Sequence, residues 1–520
     1  MNPPLAPSAH PRSLLLIIAM ISSLVMLDSN VVAVALPTIA RSLNADFADV
    51  QWVITAYVLP FAALLLAAGS FGDKVGRRLA AMIGLAIFGL SSLACGMATT
   101  PTMLNVSRAV QGVGASLVLT ASLALINHIY TGLERIRAFA FWGASLGIAI
   151  TCGPIIGGVI ASVFGWTWAF LINVPICTAL FVAALRVIPE SRDPDVRGLD
   201  YAGIVTFSAG LFLVTWAVID GNALGWLSAP ILWRFLGGLA LLVLFAVVEL
   251  RQERPMVDFA IFRSRHFIGT AFAMVGYAGG AQVMIFYLPL YLQNAYGFSP
   301  AIAGIATLPF ALPMFVVPRI GAGAGVSSRT LICAGLAITV SANLAMALLA
   351  DGQASYLGFA LAMVVAGAGA GLLNGETAKA MQGALPANRS GVASGISATT
   401  RFMALLFGVA GLGALLVSVT MSRFAAVAAQ LGLQPAAASL LAKRYAAGDS
   451  SAAVASLPEA VRAAAGILLH GAFQEGFSRV AWAAAAVAIA SLLLTRWFMQ
   501  IPSHHLAART EAEALFVAGE

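Results

Sequence analysis

The chain alternates between long apolar runs and short connectors that hold most of its charge. A helix rising 1.5 Å per residue needs about 20 apolar residues to cross the hydrocarbon core of a bilayer. Fourteen runs meet that length, at approximately 13–39, 51–70, 79–98, 103–127, 137–161, 168–187, 201–220, 231–249, 267–292, 300–318, 329–350, 355–375, 391–420 and 477–498. Fourteen spanning helices predict an all-α integral membrane protein. The first run is expected to remain as a spanning helix rather than act as a cleaved signal, because it is long, contains Asp28 and leads through Pro37 into a polar loop.

Composition supports that pattern. Hydrophobic residues make up 60% of the sequence and charged residues 9%, against about a quarter charged in soluble domains. The mean hydropathy is +0.93. The net charge of +7 could suggest nucleic acid, but its distribution argues otherwise. With the N-terminus inside, the inner loops carry Lys74, Arg77, Arg78, Arg135, Arg137, Arg251, Arg254, Arg263, Arg265 and Arg329, while the short outer loops carry essentially only Arg41. Positive charge retained on the cytoplasmic side explains the asymmetry, places both termini inside and requires an even number of crossings. The four cysteines, Cys95, Cys152, Cys177 and Cys333, all fall inside apolar runs; they read as packing residues, with no disulfide and no metal expected.

The runs group as six, two and six. Residues 1–187 form the first set, 188–265 a basic linker with two inserted helices, and 266–498 the second set, followed by a tail at 499–520. The second set is interrupted by an Ala-rich stretch at 422–475, expected to face outside and to contain short amphipathic helices.

Several segments carry recognisable chemistry. Between runs 2 and 3 lies Gly69-Ser70-Phe71-Gly72-Asp73-Lys74-Val75-Gly76-Arg77-Arg78. A glycine at position 76 permits a tight turn, and the acidic and basic groups can anchor and lock an inner gate. This segment resembles the signature loop of the major facilitator superfamily. Leu27-Asp28-Ser29-Asn30 in run 1, continuing to Pro37, and Trp52-Val53-Ile54-Thr55-Ala56-Tyr57 in run 2 resemble the fourteen-helix drug:proton antiporters of that superfamily. Asn30 and Ala33 depart from the usual residues there. Arg108, within Leu104–Gly114, is similar to the superfamily's second motif, whose arginine is associated with proton transfer. Gly153-Pro154-Ile155-Ile156-Gly157-Gly158 resembles the motif of exporters, and Trp166–Pro175 extends the resemblance, with Thr167 in place of the usual arginine.

The resemblance implies a major facilitator fold, two six-helix bundles with two inserted helices, and substrate bound between the bundles. Independently, a carboxylate in hydrocarbon is costly and marks a functional site by default, and an intramembrane arginine needs a partner. Asp28 is therefore the expected proton-coupling residue and Arg108 its expected partner. Pro154 removes a backbone donor while Gly153, Gly157 and Gly158 allow close helix approach, which suits a sealed contact between the bundles. Trp52, Tyr57, Gln282, Tyr287, Asn374 and Arg401 are candidate lining residues of a mildly polar substrate cavity. Runs 10 and 13 contain no Asp or Glu, which favours neutral, zwitterionic or anionic substrates over dications.

The resulting expectation is a proton-coupled exporter of drugs or toxic lipophilic metabolites in a bacterial inner membrane. A substrate-specific metabolite transporter or importer on the same fold remains open. Neither a phosphate-binding loop nor a nucleophile-base constellation occurs, so neither ATP-driven pumping nor enzymatic chemistry is indicated. No cofactor is expected beyond the proton gradient. The expected partners are a small-molecule substrate, protons and the lipid bilayer, with a periplasmic adaptor and an outer-membrane channel as further candidates, no nucleic acid, and a monomeric state.

Overall fold

The computed structural model describes residues 11–130, 132–191, 200–252, 259–322, 326–352, 355–384, 390–428, 431, 433–447, 454–455 and 457–499. Among them are fourteen helices long and apolar enough to cross a membrane. They are α1 (Pro11–Leu43), α2 (Phe47–Val75), α3 (Arg77–Gly96), α4 (Pro101–Ile129), α5 (Gly132–Val163), α6 (Trp168–Val187), α7 (Tyr201–Leu224), α8 (Ala229–Arg251), α9 (Arg265–Tyr296), α10 (Pro300–Pro318), α11 (Ser328–Asp351), α12 (Tyr356–Gly383), α13 (Ser390–Ala428) and α14 (Glu459–Phe498).

Local sequence sets several of the boundaries. Asp46 caps α2 through the Asp49 amide, and Asp49 returns the bond to the Asp46 amide, so two orphan donors are satisfied reciprocally. Thr100 caps α4, with Pro101 at its first position. Gly76, at φ +121°, separates α2 from α3. That backbone is in a region L side chains rarely adopt, and a Cβ there would also strike the Glu190 carboxylate.

The helices pack as two bundles, α1–α6 and α9–α14. The inserted α7–α8 hairpin leans on α2 and α13. Its own seam is made by glycines: a Cβ on Gly238 would come within 3.0 Å of the Gly210 carbonyl. Trp52 of α2 packs on Phe212 of α7, with ring centroids 6.1 Å apart.

The 422–475 stretch differs from its expected loop character. α13 continues to Ala428 and α14 begins at Glu459, so the two spanning helices project beyond the apolar runs. Alanine is the strongest helix former, and the charges that end the hydropathy signal pair across the projection: Glu475 accepts from Arg423 at 2.5 Å and lies 3.4 Å from Arg479. Between them a short helix, Pro435–Ala446, buries Ala438, Leu441, Ala442 and Tyr445 on one face. Asn294 at the end of α9 donates to the Tyr445 carbonyl at 3.0 Å.

α9 departs from regular geometry. Residues Gly276–Gln282 form a π-helical segment, with the Val283 amide bonded to the Ala278 carbonyl. Asn343 of α11 donates to the Gly280 carbonyl at 2.8 Å, supplying a partner for a wider turn. Such segments are rare and concentrate at functional sites.

Candidate functional site

Asp28 and Arg108, the lone fully buried carboxylate and arginine among the described residues of the first bundle, meet. Arg108 of α4 donates from Nη1 to Asp28 Oδ2 of α1 at 2.6 Å, and the two residues are each 1% exposed. Removing such a pair from water costs several kcal/mol per ion before their attraction is counted, so the remaining lone pairs and protons have to be satisfied. Gln111 and Asn173 donate to Asp28 Oδ1 at 3.1 and 2.7 Å. Arg108 also donates to Gln111 Oε1 at 2.6 Å and through Nε to the Val53 carbonyl at 3.0 Å. Its guanidinium lies 4.1 Å from the centre of the Tyr57 ring. Ser92 of α3 closes the network by accepting from Gln111 at 2.7 Å.

Five helices therefore converge on one ion pair: α1, α2, α3, α4 and α6. Gln111, Asn173 and Ser92 carry no charge and were not singled out from sequence. Gln111 lies three positions after Arg108, on the same helical face, which is the signal that could have found it. The carboxylate accepts from three side chains, which tie α1 to α4 and α6.

Asp28 neighbours the space between the bundles. A small cavity of about 20 Å³ lies there, lined by Ser29, Asn30 and Tyr57 from one bundle and Gln282, Phe286 and Phe402 from the other. That volume holds about one water. Behind Gln282 is a second polar cluster: Arg401 donates from Nε to Gln282 Oε1 at 2.9 Å and from Nη2 to Tyr277 Oη at 3.1 Å, and Tyr277 donates to Asn374 Oδ1 at 2.9 Å. Gln282 and Tyr277 both sit on the π-helical segment.

The six candidate cavity residues thus separate. Tyr57 and Gln282 line the central space, and Arg401 and Asn374 reach it through Gln282 and Tyr277. Tyr287 instead donates to the Val409 carbonyl within the wall of α13. Trp52 is instead placed on Phe212 of the inserted hairpin.

The glycines of α5 work in two directions. Added Cβ atoms at Gly153 and Gly157 would come within 2.5 Å of Asn30 Cβ and 2.6 Å of the Val31 carbonyl, inside the first bundle. Gly158 lies against the Pro300 carbonyl of α10, and Pro154 presents its carbonyl to Gly304. Thr151 donates to the Ala311 carbonyl at 3.4 Å. Other locks between the bundles are Gln51, which donates to the Val409 and Ala410 carbonyls at 2.8 and 2.7 Å, and Gln293, which donates to the Val34 carbonyl at 3.1 Å. By the alternation of helix directions, these locks lie towards the face opposite the 69–78 loop.

Residues 69–78, expected as a connector, are the last turns of α2, the Gly76 junction and the first residues of α3, and they engage the segment after α6. Arg77 pairs with Asp73 at 2.9 Å. Arg78 lies 3.8 Å from Glu190 and donates to the Ile188 carbonyl at 3.3 Å, while the Arg77 amide bonds the Ser191 carbonyl. Gly69 has open space where a Cβ would stand, and Lys74 is exposed.

Two helical bundles closing on a central space, with an ion pair buried beside it, define a polytopic membrane transporter. Residues 18–409 match the family model of the Major Facilitator Superfamily, and the chain belongs to that family. It is 32% identical over 401 residues to the multidrug resistance protein Stp of Mycobacterium tuberculosis, covering 76% of this chain and 74% of the relative. It is 30% identical over 480 residues to the multidrug efflux pump LfrA of Mycolicibacterium smegmatis, covering 92% and 94%. The methylenomycin A resistance protein of Streptomyces coelicolor is 33% identical over 402 residues, covering 76% and 83%. The fold is shared with a bacterial homolog of the human lysosomal transporter Spinster (TM-score 0.62, 15% identity, covering 94% of this chain and 98% of that one) and with a D-xylose-proton symporter (TM-score 0.62, 13% identity, 94% and 98%). The chain is accordingly a multi-pass membrane transporter of small molecules and not an enzyme.

Proposed function

We propose that the chain is a proton-coupled exporter of lipophilic small molecules in a bacterial inner membrane, with both termini and the 69–78 loop on the cytoplasmic side. The observation that carries this reading is the sealed Asp28–Arg108 pair, one residue away from Ser29 at the central cavity. The relatives named for multidrug efflux and antibiotic resistance support the direction and the substrate class. The skew of Lys and Arg towards one set of loops supports the orientation.

In this mechanism Asp28 is the proton carrier. Protonation cancels the carboxylate charge, and Arg108 keeps Gln111, the Val53 carbonyl and the Tyr57 face as partners. α1 is then released from α4 and α6. Because Gly153 and Gly157 hold α5 against Asn30 and Val31 of the same helix, a shift of α1 carries α5 with it and loosens the contact of Gly158 with Pro300. With the outer face open, the proton that holds Asp28 neutral is supplied from the outside and substrate leaves there; the protonated chain recloses, and proton loss to the inside restores the pair, so that a proton moves inward as substrate moves out. The substrate end of the cycle favours neutral or anionic compounds: Arg401 is held by two neutral oxygens, and no carboxylate pairs with it among the described residues.

Reconstituted protein tests this directly. With an imposed pH gradient, wild type should transport at least one member of a panel of neutral, anionic and monocationic lipophilic dyes, and both Asp28→Asn and collapse of the gradient should abolish that transport. Undiminished transport by Asp28→Asn, or transport indifferent to the gradient, would refute it.

A further inference from the structure

The polar cluster of the second bundle depends on an irregular turn. Tyr277 and Gln282 both accept from Arg401 of α13, at 3.1 and 2.9 Å, and they lie five positions apart on α9. At 3.6 residues per turn, five positions leave two side chains about 140° apart, and one guanidinium could not rest on both. Trp52 and Tyr57 of α2 have that same spacing and go separate ways, Trp52 to Phe212 and Tyr57 to Arg108. Between Gly276 and Gln282, however, α9 is π-helical, and i→i+5 bonding stacks residues five apart above one another. The wide turn is what puts both oxygens on the side of Arg401.

The turn is held from outside its own helix. Where i→i+5 bonding returns to i→i+4, one carbonyl is left without an amide, and a buried carbonyl without a partner is costly. Asn343 of α11, 1% exposed, donates from Nδ2 to the Gly280 carbonyl at 2.8 Å. With Tyr277 and Gln282 so placed, Arg401 is gripped through Nη2 and Nε, and among the described residues its Nη1 donates to no protein group. That side of the guanidinium is left for an anionic oxygen, the partner with which it bonds most strongly.

We propose that Asn343 is a positioning residue for anion selection: by keeping the π turn it holds Tyr277 and Gln282 on Arg401, and Nη1 then receives a carboxylate or sulfonate oxygen of the substrate. The proposal deepens the reading of Arg401 as the recognition group and rests on it; it needs no proton coupling. Loss of the Asn343 donor lets α9 relax to α geometry, which turns Gln282 by about 100° relative to Tyr277 and takes one support from the guanidinium. Shortening the turn by one residue has the opposite consequence. Without Gly279, whose added Cβ would find nothing nearer than 3.6 Å, Tyr277 and Gln282 stand four positions apart. A regular helix puts such residues on one face and gives every carbonyl its amide, so Asn343 becomes dispensable.

The test is saturable binding of two dyes of one ring skeleton to the full-length protein in phosphatidylcholine nanodiscs, read as fluorescence above empty nanodiscs. One is 8-anilino-1-naphthalenesulfonate, a monovalent anion, and the other N-phenyl-1-naphthylamine, its uncharged counterpart. Asn343→Leu should weaken binding of the anion about tenfold, the worth of a hydrogen bond to a charged group, and leave the neutral dye unchanged. Deleting Gly279 in the Asn343→Leu protein should restore the anion, which a mere packing role of Asn343 would not allow. Asn343→Ala carries the same comparison if the leucine variant elutes aggregated. Equal loss of both dyes, no restoration by the deletion, or anion binding that is absent from wild type or indifferent to Asn343 overturns the proposal. Transport under an imposed pH gradient separates it from the export reading. If anion preference follows Asn343 while no dye is moved, the export reading fails alone; if dyes are moved and the preference ignores Asn343, the positioning role fails alone.

Discussion

The two bundles each place an arginine beside the central space, and they treat it differently. In the first, Arg108 is 1% exposed and paired with a carboxylate that three side chains hold. In the second, Arg401 is only part-buried and rests on the neutral oxygens of Gln282 and Tyr277, on a π-helical segment. A proton on the carboxylate turns a compensated pair into a lone buried cation, so occupancy of that one site changes what holds the helices together. A cation held by dipoles alone keeps attraction to spare for a ligand. The same fold thus offers one position suited to coupling and another suited to recognition.

The harshest way to break this comparison is Asp28→Asn. It leaves Arg108 charged and unpaired in a dry site, a loss of about 3–5 kcal/mol for a broken buried pair, and gradient-driven dye transport should vanish at equal expression. Arg401→Gln should act on recognition only: anionic dyes should lose about tenfold in apparent affinity, as expected for a hydrogen bond to a charged group, while neutral dyes and proton coupling are retained in the same assay. Gln282→Glu sharpens the contrast by giving Arg401 a carboxylate partner, and it should lower anion transport by roughly fivefold through the compensated charge, measured as competition between anionic and neutral dyes. Asn173→Ala removes one of three donors to Asp28. With Gln111 still bonded to the same oxygen, transport should fall by only about threefold, the worth of a modest hydrogen bond, as a change in rate at saturating dye.

Much of the frame was legible in the sequence because lipid imposes it. Apolar runs of spanning length, and their count, follow from the lack of water in the bilayer to satisfy backbone groups. Asp28 and Arg108 stood out for the same reason, being charges where charge is costly. Gln111, Asn173 and Ser92 did not, since neutral polar side chains in membrane helices are ordinary; the three-residue spacing from Arg108 marks Gln111 alone, and nothing local marks Asn173 or Ser92. The projections of α13 and α14 beyond their apolar runs were hidden because hydropathy falls at Arg423 and Glu475, whereas helix propensity does not. Trp52 and Tyr57 share one motif, but five positions along a helix is nearly a turn and a half, and the two side chains face different elements.

The sequence by itself determined a fourteen-helix membrane protein, the loop at 69–78, the flexible and close-packing glycines of α5, and the two costly charges, since each of these is a property of composition or of spacing within one helix. Only the tertiary structure decided that Asp28 is held by residues 80, 83 and 145 positions away, that Gly158 meets Pro300, and that Tyr277 and Gln282 both meet Arg401. Those contacts depend on the relative rotation and depth of helices far apart in the chain, which packing against several neighbours at once sets and no single segment encodes.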